Sequence, residues 1–302
     1  MTHGYRIVSR AEMTFTLFPD TRLALATDSL AGLSVGDALG ARCLVPGHRP
    51  GSIPGPPWPW TDDTQQACCL VACLDEGDFD RDRFADLLAA HHDPARGYGP
   101  GAVVLLRAIR DGLPWPIAAA AAFDGQGSAG NGAAMRAAPL GAWHADSLAH
   151  AATQGARAAE VTHAHPDGIA GGVAVAVAAS AAAAGRLDGH RPDLLGVVVA
   201  HTGAGRVRDG LVAARRITRA GQAADELGSG ARAMAYDTVP FALWVAARHL
   251  DDYPAAIAAC VSAGGDVDTT CAIAGGVVAA YTGLAGIPAD WLTAREPLPS
   301  WL

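Results

Sequence analysis

The chain keeps returning to apolar or amphipathic runs of helix length, and it never sets two runs of β-branched alternation one after another. Helical patterns begin at Thr21, Ala67, Phe79, Ala102 and Ile117, then recur at 146–163, 168–185, 192–203, 206–220, 237–250 and 254–263. Leu194 to Ala200 is the nearest candidate for a strand. Helices at this density can hide their apolar stripes only against one another, so the pattern predicts an all-α fold. Of the 302 residues, 50% are hydrophobic, enough for a large core. No composition break marks a domain boundary. Residues 1–20 lack a clear period and read as an N-terminal arm, leaving one domain over 21–302. After Thr21, alanines, glycines and serines recur at helical spacing, so a second helix is expected to pack unusually close.

Charge removes several function classes. The net charge is −8, which argues against nucleic acid or an acidic membrane surface as partner, since phosphate neutralisation needs a basic face. The five arginines between Arg206 and Arg219 read as the solvated side of a helix. All 22 basic residues are arginine, which rules out a Schiff-base lysine, the lysine of a Walker-A loop and a kinase-type Lys–Glu pair. Glutamate occurs only at 12, 76, 160, 226 and 296, so carboxylate chemistry falls to aspartate. The six cysteines show no paired Cys-x-x-Cys spacing, and the first twenty residues lack the apolar core of a signal peptide; both fit a cytoplasmic chain. Ile169 to Gly185 is uncharged but shorter than the ~20 residues of a membrane span, and reads as a buried helix.

Two aspartate clusters stand at helix entrances. In Ala263 to Gly276, two glycines precede Asp266 and Asp268, and Thr269 and Thr270 open an apolar run. Carboxylates at i and i+2 of a turning segment can point to one side and share a hard cation. The second cluster, Thr61-Asp62-Asp63-Thr64, follows a loop from Pro46 to Pro59 that is too rich in proline and glycine for regular structure. Adjacent helical residues diverge by about 100°, so Asp62 and Asp63 converge only if they occupy the irregular first turn, where capping preference puts them. Either cluster alone would also serve as an ordinary helix cap. Thr61, Asp62, Asp63, Asp266, Asp268 and Thr269 together offer four carboxylates and two hydroxyls with no adjoining His or Cys, a donor set that selects Mg²⁺, Mn²⁺ or Ca²⁺ over Zn²⁺. Four carboxylates overload one Mg²⁺, whereas two cations roughly 3.5–4 Å apart account for the number.

Two further motifs bear on a ligand. The stretch Gly125 to Gly132 feeds a helix at Ala133 and could cradle a phosphate with consecutive N–H groups, although it fits neither the dinucleotide nor the P-loop fingerprint and is equally compatible with a surface turn. His163 and His165 close one helix before another begins, as ligands, substrate contacts or caps.

Six ordered segments carry a resemblance: Gly36-Asp37-Ala38-Leu39-Gly40-Ala41; Trp60 to Thr64; Gly130-Asn131-Gly132-Ala133-Ala134-Met135-Arg136 with Pro139-Leu140-Gly141; Thr162 to Pro166; Asp237-Thr238-Val239-Pro240; and Gly264 to Thr269. In this order and over nearly the whole chain, they resemble the ADP-ribosylglycohydrolases, which include the dinitrogenase-reductase-activating glycohydrolase. The resemblance implies a single compact orthogonal helical domain with a binuclear Mg²⁺ or Mn²⁺ site ligated by Thr61, Asp62, Asp63, Asp266, Asp268 and Thr269. The implied substrate is an ADP-ribosyl group on a protein side chain or small molecule, cut at the ribose C1″ bond. Gly97, Tyr98 and Gly99, then Ser128, Gly130, Asn131 and Gly132, and His165 fall where the family contacts diphosphate and ribose. Asp62 or Asp268 is the expected proton acceptor from water.

The chain departs from the family twice. Many members carry a Glu near the metals where this chain has Leu44, and a relative places an Asp near the loop that here reads Gly97-Tyr98-Gly99. The rival readings are therefore a non-catalytic ADP-ribose-binding or structural protein of the same fold and, with less support, a metal-dependent phosphohydrolase. Linkage, physiological target and oligomeric state stay open at this level.

Overall fold

The computed structural model describes residues 16–45, 47, 51–75 and 77–302. The first helices are α1 (Pro19–Cys43), α2 (Asp62–Val71), α3 (Arg81–His91), α4 (Pro100–Arg110) and α5 (Trp115–Gly125). Next come α6 (Gly132–Met135), α7 (Ala138–Trp143), α8 (Leu148–Glu160), α9 (Pro166–Asp188), α10 (Leu194–His201) and α11 (Arg206–Ala214). The chain closes with α12 (Ala220–Leu227), α13 (Ala235–Arg248), α14 (Tyr253–Ala263), α15 (Val267–Thr282) and α16 (Ala289–Ala294). Among the described residues the only β pairing is two isolated bridges, Trp58 with Arg295 and Gly130 with Met234, so the all-α expectation holds.

Helix α15 lies along α1, and the contact is backbone against backbone. Gly32, Gly36 and Gly40 recur every four residues and so share one face of α1. A Cβ on Gly40 would sit 2.7 Å from the Asp268 Cα, one on Gly275 would sit 2.6 Å from the Gly32 carbonyl oxygen, and Gly36 faces the Cys271 carbonyl just as closely. The small residues after Thr21 thus do what their spacing predicts. One buried hydrogen bond crosses the seam, Ser29 Oγ donating to the Gly276 carbonyl at 2.9 Å, and a second ties α14 to α1 beside it, the Tyr253 hydroxyl donating to the Gly32 carbonyl at 2.6 Å. This register sets Asp37 beside the start of α15.

Helix α9 is long and apolar enough to cross a membrane, yet 83% of its apolar window is buried inside this protein, against α7, α8, α13 and α15. It is a core helix, as its alanine and glycine content suggests. Five of the six cysteines are likewise buried, and all six are free thiols.

Three boundaries differ from expectation. Residues 1–15 of the expected N-terminal arm lie outside the described residues, and Pro19 already opens α1. The helix expected over 206–220 stops at Ala214 because Ile217 turns into the core and its carbonyl accepts the Trp244 indole N–H at 3.0 Å. Three of the five arginines, at 215, 216 and 219, therefore lie outside α11, and Arg206 stacks 3.2 Å over the Tyr236 ring. Helix α5 breaks near its end: Ala122 is extended, and Phe123 and Asp124 both have φ above +50°.

Candidate metal centre

Three elements converge on one acidic pocket. Asp37 comes from the middle of α1, Asp62 and Asp63 from the first turn of α2, and Asp266 and Asp268 from the entrance of α15. One carboxylate oxygen from each of Asp37, Asp63 and Asp268 lies within 4.8 Å of the others. Asp37 also fixes the neighbouring helix start. Its carboxylate accepts the Thr61 N–H at 2.9 Å, the Thr61 hydroxyl at 2.7 Å, the Thr64 N–H at 3.1 Å and the Thr64 hydroxyl, so a buried acid of α1 holds the exposed donors of α2. The approach to α2 is clamped from outside: Arg96 lies 3.4 Å over the Trp60 ring, donates to the Trp60 carbonyl at 3.0 Å, and forks onto Glu296 at 2.7 and 2.8 Å.

The remaining acids are held by neutral donors. Gln66 Nε2 donates to Asp62 Oδ2 at 2.9 Å, and Asn131 Nδ2 donates to Asp266 Oδ2 at 2.7 Å and to the Thr238 hydroxyl at 3.1 Å. The Thr61 hydroxyl lies 3.2 Å from Asp63 Oδ2. Among the described residues, no basic side chain hydrogen-bonds any of these five carboxylates. Burial and mutual repulsion consequently favour the protonated forms of Asp37, Asp62, Asp63 and Asp266. Burial, ahead of weaker contributions, raises Asp37 to about 6; burial and then Asp37 and Asp268 raise Asp62 to about 8. Asp63 is pushed well up by burial and by Asp37, and Asp266 to about 7 by burial and Asp268.

Asp63 Oδ1 and Asp268 Oδ1 are both buried with no hydrogen-bond partner. An orphaned carboxyl oxygen is costly in a folded interior, and two of them facing a common cluster are what a hard divalent ion would satisfy. The residues present therefore fit a metal.

Two glycine-rich segments rim the pocket. Gly97, at φ 89°, brings its backbone close enough to Asp62 that an added Cβ would lie 4.0 Å from Oδ1. Tyr98 turns inward, where its hydroxyl donates to Gln65 Oε1 at 2.8 Å and its ring meets His92 edge-on. The second rim, Gly125 to Gly132, is stitched to 233–235 by Asn131 N–H on the Ala233 carbonyl at 3.1 Å and Ala235 N–H on the Ala129 carbonyl at 3.0 Å. Gly127, at φ 73°, passes so close to the start of α9 that a Cβ would stand 2.6 Å from the His165 nitrogen. The Phe123 ring is 58% exposed and reaches over Gly101, so an aromatic face borders both rims.

A family model for ADP-ribosylglycohydrolases matches residues 19–302. The chain belongs to the ADP-ribosylglycohydrolase family. Human ADP-ribosylhydrolase ARH3 is 30% identical over 278 residues, covering 78% of this chain and 74% of that protein. The ADP-ribosylarginine hydrolase Tri1 of Pseudomonas putida is 28% identical over 293 residues, 92% of this chain and 76% of that one. A solved structure described as an ADP-ribosylglycohydrolase-related protein complex matches with a TM-score of 0.68 at 28% identity, covering 92% of this chain and 94% of that chain.

For this family member, the six expected ligands sort into two groups. Asp63 and Asp268 sit in the tight cluster, and Thr61 hydrogen-bonds it; Asp62 and Asp266 flank it, while Thr269 is buried beside Asp266. Asp37, which completes the cluster, was not among the expected site residues. Its signal was a lone acid inside an otherwise uncharged stretch of small residues. Of the expected substrate contacts, Gly97 stands at the rim beside Asp62 and Gly99 is the N-cap of α4, whereas the Tyr98 side chain is a buried strut. Ser128 Oγ accepts the Gly130 N–H at 3.2 Å inside its own loop, and Asn131 turns toward Asp266. His165 caps α9, its Nδ1 accepting the Asp167 N–H at 3.0 Å. His163 is buried behind the Gly130–Gly132 loop, its Nδ1 2.7 Å from the Thr162 hydroxyl, and burial lowers its pKa to about 3. Leu44 follows α1 with its side chain half exposed, so the segment that contributes Asp37 to the acid cluster ends in an apolar residue at the position where many members carry Glu.

Proposed function

We propose that this chain hydrolyses the C1″ glycosidic bond of an ADP-ribosyl group carried by a protein side chain or a small molecule. In this reading two Mg²⁺ or Mn²⁺ ions are held by Asp37, Thr61, Asp62, Asp63, Asp266, Asp268 and Thr269. The observation that carries it is the cluster of Asp37, Asp63 and Asp268 with buried, orphaned oxygens on two of its members. Bound there, hard cations would orient the ribose hydroxyls and make a neighbouring water a better nucleophile.

The protein's own part is to hold charge, shape and a proton acceptor. Loss of the leaving group builds oxocarbenium-like positive charge at C1″, which is favoured by the residual negative charge that five carboxylates leave beside two divalent cations. Asp62 is the better placed proton acceptor of the two candidates. Gln66 holds its Oδ2, leaving Oδ1 toward the Gly97 backbone at the rim, whereas Asp268 Oδ1 is enclosed and suits a ligand. The Gly125–Gly132 loop supplies backbone curvature for a diphosphate, and the exposed Phe123 ring supplies an apolar face for a base. Six free cysteines, mostly buried, suit a reducing cytoplasmic compartment.

The test is release of ADP-ribose from arginine-, serine- and O-acetyl-linked substrates with Mg²⁺ and with Mn²⁺. Turnover on at least one is expected, and none on any of the three overturns the reading. Leu44 favours one alternative, a reader that binds ADP-ribose without cutting it. Calorimetry showing tight ADP-ribose binding with no product would select that alternative.

A further inference from the structure

Arg136 is the most conspicuous buried group that the proposed reaction does not use. It follows α6 directly, is 1% exposed, and among the described residues pairs with no carboxylate. Its guanidinium instead donates to three neutral acceptors: Gln66 Oε1 at 2.6 Å, the Ala158 carbonyl at 3.1 Å and the Thr162 hydroxyl at 2.8 Å, with Phe84 5.0 Å beneath it. A cation enclosed without an anion is expensive, and burial lowers its pKa to about 10. Something other than a local ion pair must favour arginine here.

The acceptor at the end of the fork supplies the reason. Gln66 is buried, and its amide bridges Arg136 and Asp62: Oε1 accepts the Arg136 N–H while Nε2 donates to Asp62 Oδ2 at 2.9 Å. The two ends of an amide have nearly the same shape, so packing alone does not choose between its two flips. Arginine has donors only. Facing Arg136, Gln66 must present its oxygen there, and its N–H₂ is then forced toward Asp62. The reverse flip would set N–H against N–H at one end and oxygen against carboxylate at the other.

We infer that Arg136 is a positioning residue that fixes the Gln66 amide so that Asp62 is held by one oxygen, with its other directed to the cation pocket and the Gly97 rim. The Ala158 carbonyl and Thr162 hydroxyl anchor the second arm of the fork, so the guanidinium itself cannot swing. Because Arg136 directly continues the Asn131 and Gly132 segment, the same residue ties one rim of the pocket to an acid of the other. The inference rests on the proposed reading of the acidic cluster as a cation site.

The test is Mn²⁺ binding measured by calorimetry on the full chain, with melting temperature recorded alongside. Arg136→Met is expected to weaken Mn²⁺ binding by roughly 10–100-fold, the usual effect of losing a group that orients a ligand. Arg136→Lys, which keeps the charge but not the fork, is expected to fall between. The sign is decisive. Removing a positive charge near five carboxylates would by itself tighten cation binding, so tighter or unchanged Mn²⁺ binding in Arg136→Met overturns the inference. Should that variant fail to fold, Gln66→Leu with Arg136→Met removes both polar partners together, which leaves neither unpaired and is tolerated far better. That double variant is expected to bind as weakly as Arg136→Met, and wild-type affinity in it overturns the inference equally. A wild-type chain that takes up no Mn²⁺ removes the cation site itself and this inference with it, whereas a wild-type chain that binds Mn²⁺ alongside unaffected variants removes this inference alone.

Discussion

The floor of the pocket and its rim are built on opposite plans. The floor is the seam of α1 and α15, where glycines let two helix backbones touch and where Asp37 and Asp268 are brought together across more than two hundred residues of chain. The rim is local: turns at Gly97, Phe123, Asp124, Gly125 and Gly127 with positive φ, tied down by a few backbone hydrogen bonds. Cation ligands need fixed separations, and a seam without intervening side chains has few ways to adjust. A ligand of several parts instead needs N–H groups and a ring face presented at odd angles, which strained turns provide.

The comparison breaks first, and hardest, at the floor. Asp268→Asn removes one of the three clustered charges and is expected to abolish Mn²⁺ uptake in calorimetry, with product formation falling below detection; wild-type titration in that variant would remove Asp268 from the ligand set. Gly36→Val attacks the same floor without touching an acid. Its side chain would run into the Cys271 carbonyl across the seam. A loss of roughly 3 kcal/mol is expected, the upper end for overpacking, read as a lower urea midpoint together with weakened Mn²⁺ binding. If stability falls and metal affinity does not, the seam does not set the ligand geometry.

Much of the floor was legible in the sequence, because its logic is periodic. Small residues at helical spacing announced a close helix pair, and acids beside Thr at two helix starts announced carboxylates at both entrances, although a side-chain cap forms only at α2, where Thr61 accepts the Asp63 N–H. What periodicity could not give was Asp37, since an acid in mid-helix shows its purpose only when the partner helix start is in place to be capped by it. Gln66 and Arg136 escaped for a similar reason: glutamine and arginine are ordinary on helices, and only their burial against each other assigns them a task. The rim was half legible. Glycine density marked the loops, but the break of α5 at Phe123 ran against its alanine-rich helical pattern, and nothing in the sequence said that Tyr98 would turn inward.

A milder perturbation, pH, sharpens the contrast because in one window it acts chiefly on the floor. In the metal-free chain Asp37, Asp266 and Asp62 titrate near 6, 7 and 8 against 3.8 in the unfolded chain. The folded state therefore holds extra protons between these limits. Their stabilisation is complete below the unfolded value and is lost as pH rises through the folded values. His163 and His144, lowered to about 3 by burial, have the opposite sense and act below 6.5. Buried Cys68, Cys69, Cys73 and Cys271 are raised above the 9.0 of a free thiol and act only as pH approaches that value. The clean window is thus from pH 6.5 to 8, where the melting temperature in EDTA is expected to fall while that in Mg²⁺ stays level, because metal binding displaces the same protons. Parallel profiles with and without Mg²⁺ would count against the carboxylates as the ligands.

The smallest effects belong to the rim. Phe123→Ala takes away an exposed ring and is expected to raise KM for an ADP-ribosylated substrate about tenfold, in line with a lost stacking contact of 1–3 kcal/mol, while Mn²⁺ affinity stays at the wild-type value. Ala233→Gly changes still less. Ala233 sits at φ 52°, where an L-residue with a Cβ is strained, and its carbonyl anchors the Asn131 N–H of the glycine loop. Glycine relaxes that strain but widens the unfolded ensemble, so a net gain of no more than about 1 kcal/mol is expected. The informative readout is again the pairing of two measurements. If the rim is an independent, locally determined structure, Ala233→Gly shifts the urea midpoint slightly upward and leaves both Mn²⁺ affinity and its pH dependence alone. A change in metal affinity would mean that the Asn131 bond to Asp266 carries strain from the rim into the floor, and that the two plans are mechanically one.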